Sequence, residues 1–127
     1  MKNLKEKLFE KIEEHRPRIK RLLQEHGDTV INEVTVQQIL GGMRGIKSLI
    51  TDISYLDPFE GIRYRGFTLP EVFEKLPKPE GGEMPCVEGL FYLFLTGEIP
   101  TENDVADIIY DSVNRRQLPK YVYEVID

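Results

Sequence analysis

The apolar positions at the start of the chain repeat with the spacing of an amphipathic helix. One face is apolar and the other is filled with lysine, glutamate and arginine; the apolar positions are Leu4, Leu8, Ile12, Ile19, Leu22 and Leu23. Gly27 ends this pattern. Pro17 interrupts it, and a proline in a helix interior costs about 3 kcal/mol. The pattern therefore predicts either one kinked helix or two helices, the second with Pro17 in its first turn.

A strand-like pattern replaces the helical one in the middle of the chain. Residues 50–56 and 62–67 are rich in β-branched and aromatic side chains. Between them the run DPFEG, residues 57–61, places proline and glycine where a turn needs them. The sequence predicts one small β-hairpin at about 50–66. Because two strands alone are only marginally stable, this hairpin is expected to lean on the surrounding helices.

Two more helices are indicated after the hairpin. Thr68 precedes Glu71 by three residues, the spacing of a capping box, which predicts a helix over 69–76 that stops before Pro77. The segment CVEGLFYLFLT, residues 86–96, is apolar almost all round. A helix with that composition is expected to be buried on most of its surface.

The last part of the chain is also predicted to be helical. Thr101 and Asp104 offer another cap, and the stripe of the helix that follows consists of Val105, Ile108, Ile109 and Val113. A final amphipathic helix begins at Pro119 and reaches the end of the sequence without a capping residue, so we expect the chain to stop in mid-element. The predicted fold class is mainly α with one small hairpin, and residues 1–127 are expected to form a single segment with no second domain.

Composition and charge narrow the class of protein. With 127 residues, 40% hydrophobic and 31% charged, the chain has the make-up of one globular domain. Its net charge of −5 argues against a nucleic-acid partner, although the first 26 residues are mildly basic. The one cysteine, Cys86, requires no oxidising compartment, and no run approaches the ~20 apolar residues of a membrane span. We therefore expect a cytoplasmic protein without a membrane partner.

One glycine-rich run invites a phosphate-binding interpretation. Thr35 caps a short helix predicted over 36–40, and the run GGMRGIKS, residues 41–48, follows it. The run lacks the adjacent Gly-Lys-Ser/Thr of a P-loop, because Ile46 intervenes, and it lacks the dinucleotide fingerprint. Its glycines still allow close backbone approach to a ligand, with Arg44 among them as a cation suited to phosphate. Anion binding and an ordinary turn with a solvated or ion-paired arginine both remain open.

Two arginines in the hairpin form a second candidate. Arg63 and Arg65 are two residues apart, so on a strand both side chains would point to one face. Two guanidinium groups on one face suit a carboxylate or phosphate, or they pair structurally with nearby acids, namely Asp52, Asp57 and Glu60. The structural interpretation is favoured.

No catalytic residue or metal site is predicted from the residues themselves. His15 and His26 would lie about 16 Å apart along a continuous helix, too far to share a metal. Cys86, inside an apolar helix, is expected to be an inert thiol with no neighbouring base. No cofactor is indicated either.

The order of these segments resembles one family. The chain is similar to the N-terminal part of citrate synthase of the eukaryotic-like type, in the successive runs LKEKLFEKI, QEHGDTVINEVTV, GGMRGIKSLITDISYLDPFEGIRYRGFTLPE and LPKPEGGEMPCVEGLFYLFLTGEIPTE. The resemblance covers essentially all 127 residues and is most specific in GGMRG, LDPxEGIRYRG and EGLFYLFLTGEIPT. It corresponds to less than a third of the family's chain.

The resemblance implies a mostly helical homodimer that joins acetyl-CoA to oxaloacetate and releases citrate and CoA. In that family the catalytic aspartate and histidines come from later parts of the chain. Arg44 matches an arginine that contacts the phosphates of CoA, whereas Arg63 and Arg65 match scaffold positions of the large domain. The segment is expected to be inactive by itself, and to self-associate or to show a large exposed apolar patch. Two alternatives remain: a free-standing helical binding or regulatory module, and a segment of a 2-methylcitrate synthase that uses propionyl-CoA.

Overall fold

The fold combines six helices with one small antiparallel sheet in the part of the chain that the structure, a computed structural model, describes, residues 3–46 and 49–126. The elements are α1 (Leu4–His26), α2 (Val36–Leu40), β1 (Ser54–Asp57), β2 (Gly61–Tyr64), β3 (Phe67–Thr68), α3 (Leu69–Lys75), α4 (Val87–Thr96), α5 (Glu102–Arg115) and α6 (Lys120–Ile126). The predicted fold class is confirmed. The sheet has a third strand that the sequence did not predict.

The first helix is one unbroken element of 23 residues. Asn3 caps it: its Oδ1 accepts the N–H of Glu6 at 3.0 Å, and the Glu6 carboxylate accepts the N–H of Asn3 at 3.1 Å. Pro17 lies inside the helix, so the two-helix alternative is wrong. The helix can continue because a proline removes only one N–H donor from the backbone hydrogen bonds of the helix. The helical turns on either side of it still form cooperatively.

The sheet begins later and turns sooner than predicted. Strand order is β1-β2-β3, antiparallel throughout, with Ser54 opposite Tyr64 and Asp57 opposite Gly61. At the first turn Asp57 Oδ1 accepts the N–H groups of Phe59 and Glu60 at 2.8 and 2.9 Å. These bonds lower the pKa of Asp57, and the bond from the N–H of Glu60 has the larger effect. Residues 50–53 precede the sheet, so the predicted first strand was too long.

A second tight turn divides the predicted strand 62–67. Arg65 has φ +49° and Gly66 has φ +87°, and the residues on either side of them, Tyr64 and Phe67, are paired. Two consecutive residues with positive φ are typical of a type I′ hairpin turn. The strand prediction failed here because arginine is not a residue that signals this turn.

The apolar core lies between α3, α4 and the inner side of the sheet. Val72, Leu76 and Leu93 are almost fully buried, and the partly buried side chains packed against them are Tyr64, Phe67, Leu90 and Ile99. The predicted capping box starts α3: the carboxylate of Glu71 accepts the N–H of Thr68 at 2.8 Å. That bond lowers the pKa of Glu71. The cap therefore directs α3 onto the core.

Helix α4 is buried or half-buried along most of its surface. Gly89, Tyr92, Leu93 and Thr96 are buried, whereas Phe91 is 51% exposed. Only Val87 and Phe91 of its ten residues are exposed, so the expectation of burial on most of its surface is confirmed. Cys86 is the N-cap residue and half-buried, so it precedes the helix.

The last two helices contribute unequally to the fold. The predicted capping box of Thr101 and Asp104 begins α5, which buries Val105 and Ile108. The other two stripe residues, Ile109 and Val113, remain 38% and 45% exposed. Helix α6 buries no residue.

Ion pairs attach α1 to the rest of the helices. Lys11 Nζ lies 2.7 Å from one Glu98 carboxylate oxygen, and Lys7 Nζ lies 3.8 Å from the other. The hydrogen bond from Lys11 is the main reason that the pKa of Glu98 is lowered. Beyond this contact Ile19 and Leu23 of α1 are 52% and 65% exposed, in line with the expected open apolar surface. Self-association stays a prediction.

Candidate functional site

The glycine-rich run begins as a helix terminus. The side chain of Thr35 caps α2 together with Gln38, and Gly41 ends the helix. The N–H of Met43 bonds to Gln38 O at 2.8 Å and the N–H of Gly42 to Ile39 O at 3.2 Å. With Gly42 at φ +77°, these bonds form a Schellman motif. The first glycines of the run are therefore used to end α2.

The next residues form a turn with Arg44 at its corner. The N–H of Ile46 bonds to Met43 O at 3.3 Å, and Gly45 has φ +73°. A positive φ at the third position of a β-turn is the type II geometry, which favours glycine there. Met43 also has a positive φ, +63°, which is costly for an L-residue. The chain thus reverses twice within six residues and leaves Arg44 at the second corner.

Arg44 is exposed, and its guanidinium makes no hydrogen bond or ion pair with the described residues. Such a group keeps all of its N–H donors for a ligand, in the planar fork that suits phosphate oxygens. Lys47 and Ser48, which complete the run, lie outside the described residues. This geometry fits Arg44 both as a solvated turn residue and as a ligand of an anion. Within residues 3–46 and 49–126, Arg44 has no ion-pair partner.

Arg63 is a structural residue, as favoured from the sequence. Its Nη2 lies 2.6 Å and its Nε 3.1 Å from Glu60 Oε2, and its Nη1 donates to Gly66 O at 3.0 Å. The Glu60 carboxylate is the main reason that the pKa of Arg63 is raised. The side chain therefore joins the two turns of the sheet.

Arg65 is also structural, and its ion pair with Asp52 is confirmed at 2.7 Å. Its Nε and Nη2 donate to Phe94 O in α4 at 3.0 and 2.5 Å. The expectation that Arg63 and Arg65 share one face of a strand is wrong, because β2 ends at Tyr64 and Arg65 belongs to the turn. The sequence indicated Asp52 as a partner of Arg65 but not the carbonyl group of Phe94. The one signal in the sequence for a turn here was the dipeptide Arg65-Gly66, because hairpin turns of this type favour Asn-Gly at these two positions.

An open cleft of about 180 Å³ lies between α1 and Arg65. Its lining residues are Leu8, Lys11, Ile12, His15, Asp52, Arg65, Leu95 and Thr96. An acid and an imidazole therefore border the same space, but the Asp52 carboxylate is 67% exposed and pairs with Arg65. Ligand pockets usually enclose about 300–1,000 Å³, so this cleft is too small to surround a coenzyme.

No group of three or more histidine, cysteine, aspartate or glutamate side chains lies close enough to hold a metal within the described ranges. Among the helices in those ranges, none combines the length and the apolar character that crossing a membrane demands.

The architecture defines a mainly helical segment with a small sheet, whose glycine loop presents one arginine. The family model described as "Citrate synthase, C-terminal domain" matches residues 42–127. The chain is 51% identical over 126 residues to a protein of Aspergillus niger named "Citrate synthase, mitochondrial", covering 99% of this chain and 26% of that protein. The chain belongs to the citrate synthase family.

A second relative carries a different name at the same identity. It is a protein of Yarrowia lipolytica named "2-methylcitrate synthase, mitochondrial", 51% identical over 124 residues, which cover 98% of this chain and 27% of that protein. A third, from Emericella nidulans and named "Citrate synthase, mitochondrial", is 48% identical over 126 residues, 99% of this chain and 27% of that protein. The chain thus spans about a quarter of the length of these relatives.

The names of these relatives correct one expectation. Each is named as mitochondrial, and so is a further relative from Neurospora crassa, 48% identical over 124 residues, 98% of this chain and 26% of that protein. The cytoplasmic location expected from the sequence is therefore wrong. That expectation rested on the single cysteine and on the lack of a membrane-spanning run, and neither determines location.

Proposed function

We propose that residues 1–127 are the N-terminal segment of the large domain of a citrate synthase, which condenses acetyl-CoA with oxaloacetate and water to give citrate and CoA in the tricarboxylic acid cycle. Membership of the family and the names of two relatives support this reaction. The order of the sequence runs supports the N-terminal position. The same relatives support a mitochondrial location, and the family resemblance supports a homodimer.

Within this enzyme the segment is proposed to build scaffold and to help bind the coenzyme. Arg44 contacts the phosphates of CoA in this proposal. The observation that carries it is an exposed guanidinium at the corner of a double turn, with no acidic partner among the described residues. A guanidinium left unpaired in this way binds phosphate without first breaking an ion pair.

The segment alone is proposed to be inactive. Two open spaces are bordered by both His15 and Asp52: the small cleft beside Arg65 and a neighbouring depression. In both of them the acid is the same one, and it is already ion-paired with Arg65. A general base needs a free carboxylate within about 3 Å of the proton it removes, and Asp52 does not offer one. Release of free CoA from acetyl-CoA and oxaloacetate by the purified 127-residue chain, followed with a thiol reagent, would contradict this proposal.

The CoA contact is tested by nuclear magnetic resonance on the ¹⁵N-labelled chain, which detects millimolar binding. CoA is expected to shift the amide signals of Gly42, Met43 and Gly45, and Arg44→Ala is expected to weaken binding about tenfold, the effect of losing one charge-assisted contact. Arg116→Ala, which removes another exposed arginine at the end of α5, is the matched control.

Pantetheine, which lacks the phosphates of CoA, provides the ligand control for that titration. It is expected to leave the loop signals unchanged, because the proposed contact is to phosphate alone. If pantetheine shifts the same amides, or if Arg44→Ala and Arg116→Ala weaken CoA binding equally, the loop does not bind phosphate.

A second candidate function is condensation of propionyl-CoA with oxaloacetate. The relative from Yarrowia lipolytica, named as a 2-methylcitrate synthase, is as similar to this chain as the Aspergillus niger citrate synthase is. The ratio of kcat/KM for acetyl-CoA and propionyl-CoA, measured on the polypeptide carrying the catalytic residues, decides between the two. A stop codon directly after Asp127 would instead favour a free-standing binding or regulatory module.

A further inference from the structure

The glycine loop belongs to a long connection, residues 27–53, and burial does not hold its first part, residues 27–45, in place. From residue 27 to residue 45 every side chain except that of Gln38 is exposed, and Val30 and Leu40 reach 79% and 83%. Few apolar contacts mean a low free energy of local opening. The orientation of the loop therefore depends on how the two ends of the connection are attached to the fold.

The upstream end of the connection is attached through α1. This helix packs on α4 and α5 and is further attached by the contact of Lys11 with Glu98. The downstream end lies at Asp52 and Ile53, immediately before the sheet. Both residues of this end are bonded to one residue, Arg65.

Arg65 connects three parts of the molecule. Its backbone N–H donates to Ile53 O at 2.8 Å, and its Nη1 lies 2.7 Å from Asp52 Oδ1. The other side of the guanidinium donates twice to Phe94 O. This carbonyl is one of the last four of α4, which have no partner within their own helix. The side chain of Arg65 is only 14% exposed, whereas the Asp52 carboxylate that it pairs with is 67% exposed.

The backbone of Arg65 shows that the position has a specific requirement. Its φ of +49° is a conformation that glycine or asparagine adopts at lower cost. A costly conformation persists where the surroundings hold it in place, and here the surroundings are an acid and a helix-terminal carbonyl. Neither glycine nor asparagine has a side chain that reaches both.

We propose that Arg65 is a positioning residue, which orients the loop bearing Arg44 by fixing the downstream end of its connection to the C-terminal end of α4. Asp52 follows Arg44 by eight positions, which span at most about 28 Å, so an attachment at Asp52 limits the volume that Arg44 explores. The effect on CoA rests on the proposed contact of Arg44 with phosphate.

The orientation of the loop is measured by residual dipolar couplings of the ¹⁵N-labelled chain. In the wild-type chain the N–H couplings of Gly42, Met43 and Ile46 are expected to fit the alignment tensor of α4. In Arg65→Gly these couplings are expected to shrink at least about twofold, while those of α4 itself keep fitting. Arg65→Gly suits this test because glycine tolerates the positive φ, so the turn itself is preserved.

Two further variants separate positioning from general loosening of the sheet. Asp52→Asn keeps the turn and removes only the ion pair, and it is expected to reduce the same couplings. Arg63→Lys is the matched control. It weakens the contacts of a neighbouring arginine with Glu60 and Gly66 in the same sheet, and Arg63 does not bond to Asp52. Unchanged loop couplings in Arg65→Gly, or an equal loss in Arg63→Lys, would overturn the proposal.

Titration of the same variants with CoA keeps this proposal distinct from the proposed function. Arg65→Gly is expected to weaken CoA binding about threefold to tenfold, provided that Arg44→Ala also weakens it. If Arg44→Ala has no effect, the CoA contact is wrong, but the couplings still decide whether Arg65 orients the loop. If Arg44→Ala weakens binding and Arg65→Gly leaves it unchanged, Arg65 does not position the coenzyme contact.

Discussion

The stability of the fold is expected to depend strongly on one leucine. Leu93 of α4 is fully buried, with no exposed surface, and packs against Val72 and Leu76 of the core. Only six hydrophobic side chains are buried in the part of the chain that the structure describes. Loss of one of them therefore removes a large share of the apolar contacts that offset the entropy of the ordered chain.

The magnitude of Leu93→Ala follows from its burial. The substitution removes three carbon atoms, and each buried methylene is worth about 0.8 kcal/mol, so transfer alone costs roughly 2.4 kcal/mol. The cavity left behind adds to this, which places the expected loss of unfolding free energy at about 3 kcal/mol. Proteins are stable by only about 5–15 kcal/mol, so the variant should be visibly less stable and still foldable at low temperature.

Urea unfolding followed by far-ultraviolet circular dichroism measures this loss. With an m-value of about 2 kcal/mol/M, a loss of 3 kcal/mol lowers the midpoint by roughly 1.5 M. Leu40→Ala is the matched control, because Leu40 is 83% exposed and should change the midpoint little. Equal midpoints for the two variants would refute the assignment of the core to α3, α4 and the sheet.

Three smaller effects are expected near the C-terminal end of α4 and the start of α5. Gly97 has φ +76°, so Gly97→Ala should cost about 1–2 kcal/mol by urea unfolding; an unchanged midpoint would contradict the left-handed C-cap. Thr101→Ala removes the N-cap of α5 and should cost about 1 kcal/mol, whereas Thr101→Ser should restore most of it; equal losses would exclude the cap. Glu98 has a lowered pKa in the folded chain, so its contribution is present above the ordinary value of 4.5 and is lost as the pH falls through the folded value. Glu98→Gln should therefore reduce the fall in unfolding free energy as the pH is lowered. The effect should be smaller than that of Leu93→Ala, because the pair with Lys11 is partly exposed. An unchanged dependence of the unfolding free energy on acid pH would show that the pair contributes nothing.

Local chemistry in the sequence was sufficient to predict much of the fold. Both predicted capping boxes, at Thr68 and Thr101, start helices where expected, since a hydroxyl and a carboxylate three residues apart satisfy each other's backbone groups. The hairpin turn at Asp57 and the helical class were also correct. The order of the runs was enough to indicate the family, which the comparisons then confirmed.

The candidate site was only partly predictable. The glycines around Arg44 pointed to close turns, and the structure uses them to end α2 and to reverse the chain. Whether the guanidinium had an acidic partner was not visible in the sequence, because such a partner can come from any distant residue. Arg63 and Arg65 illustrate the reverse case: the acids that pair with them lie nearby in sequence and were named in advance.

By itself the sequence determined the elements that depend on neighbouring residues: the caps, the turn at Asp57, the helical stripes and the family. Only the tertiary structure decided which residues of α4 are fully buried, that α1 continues through Pro17, and that Arg65 turns away from the strand toward Phe94. The physical reason is the range of the interactions. Caps and turns are satisfied within about four residues, whereas burial and the contact of Arg65 with a helix 29 residues away exist only after the chain has folded.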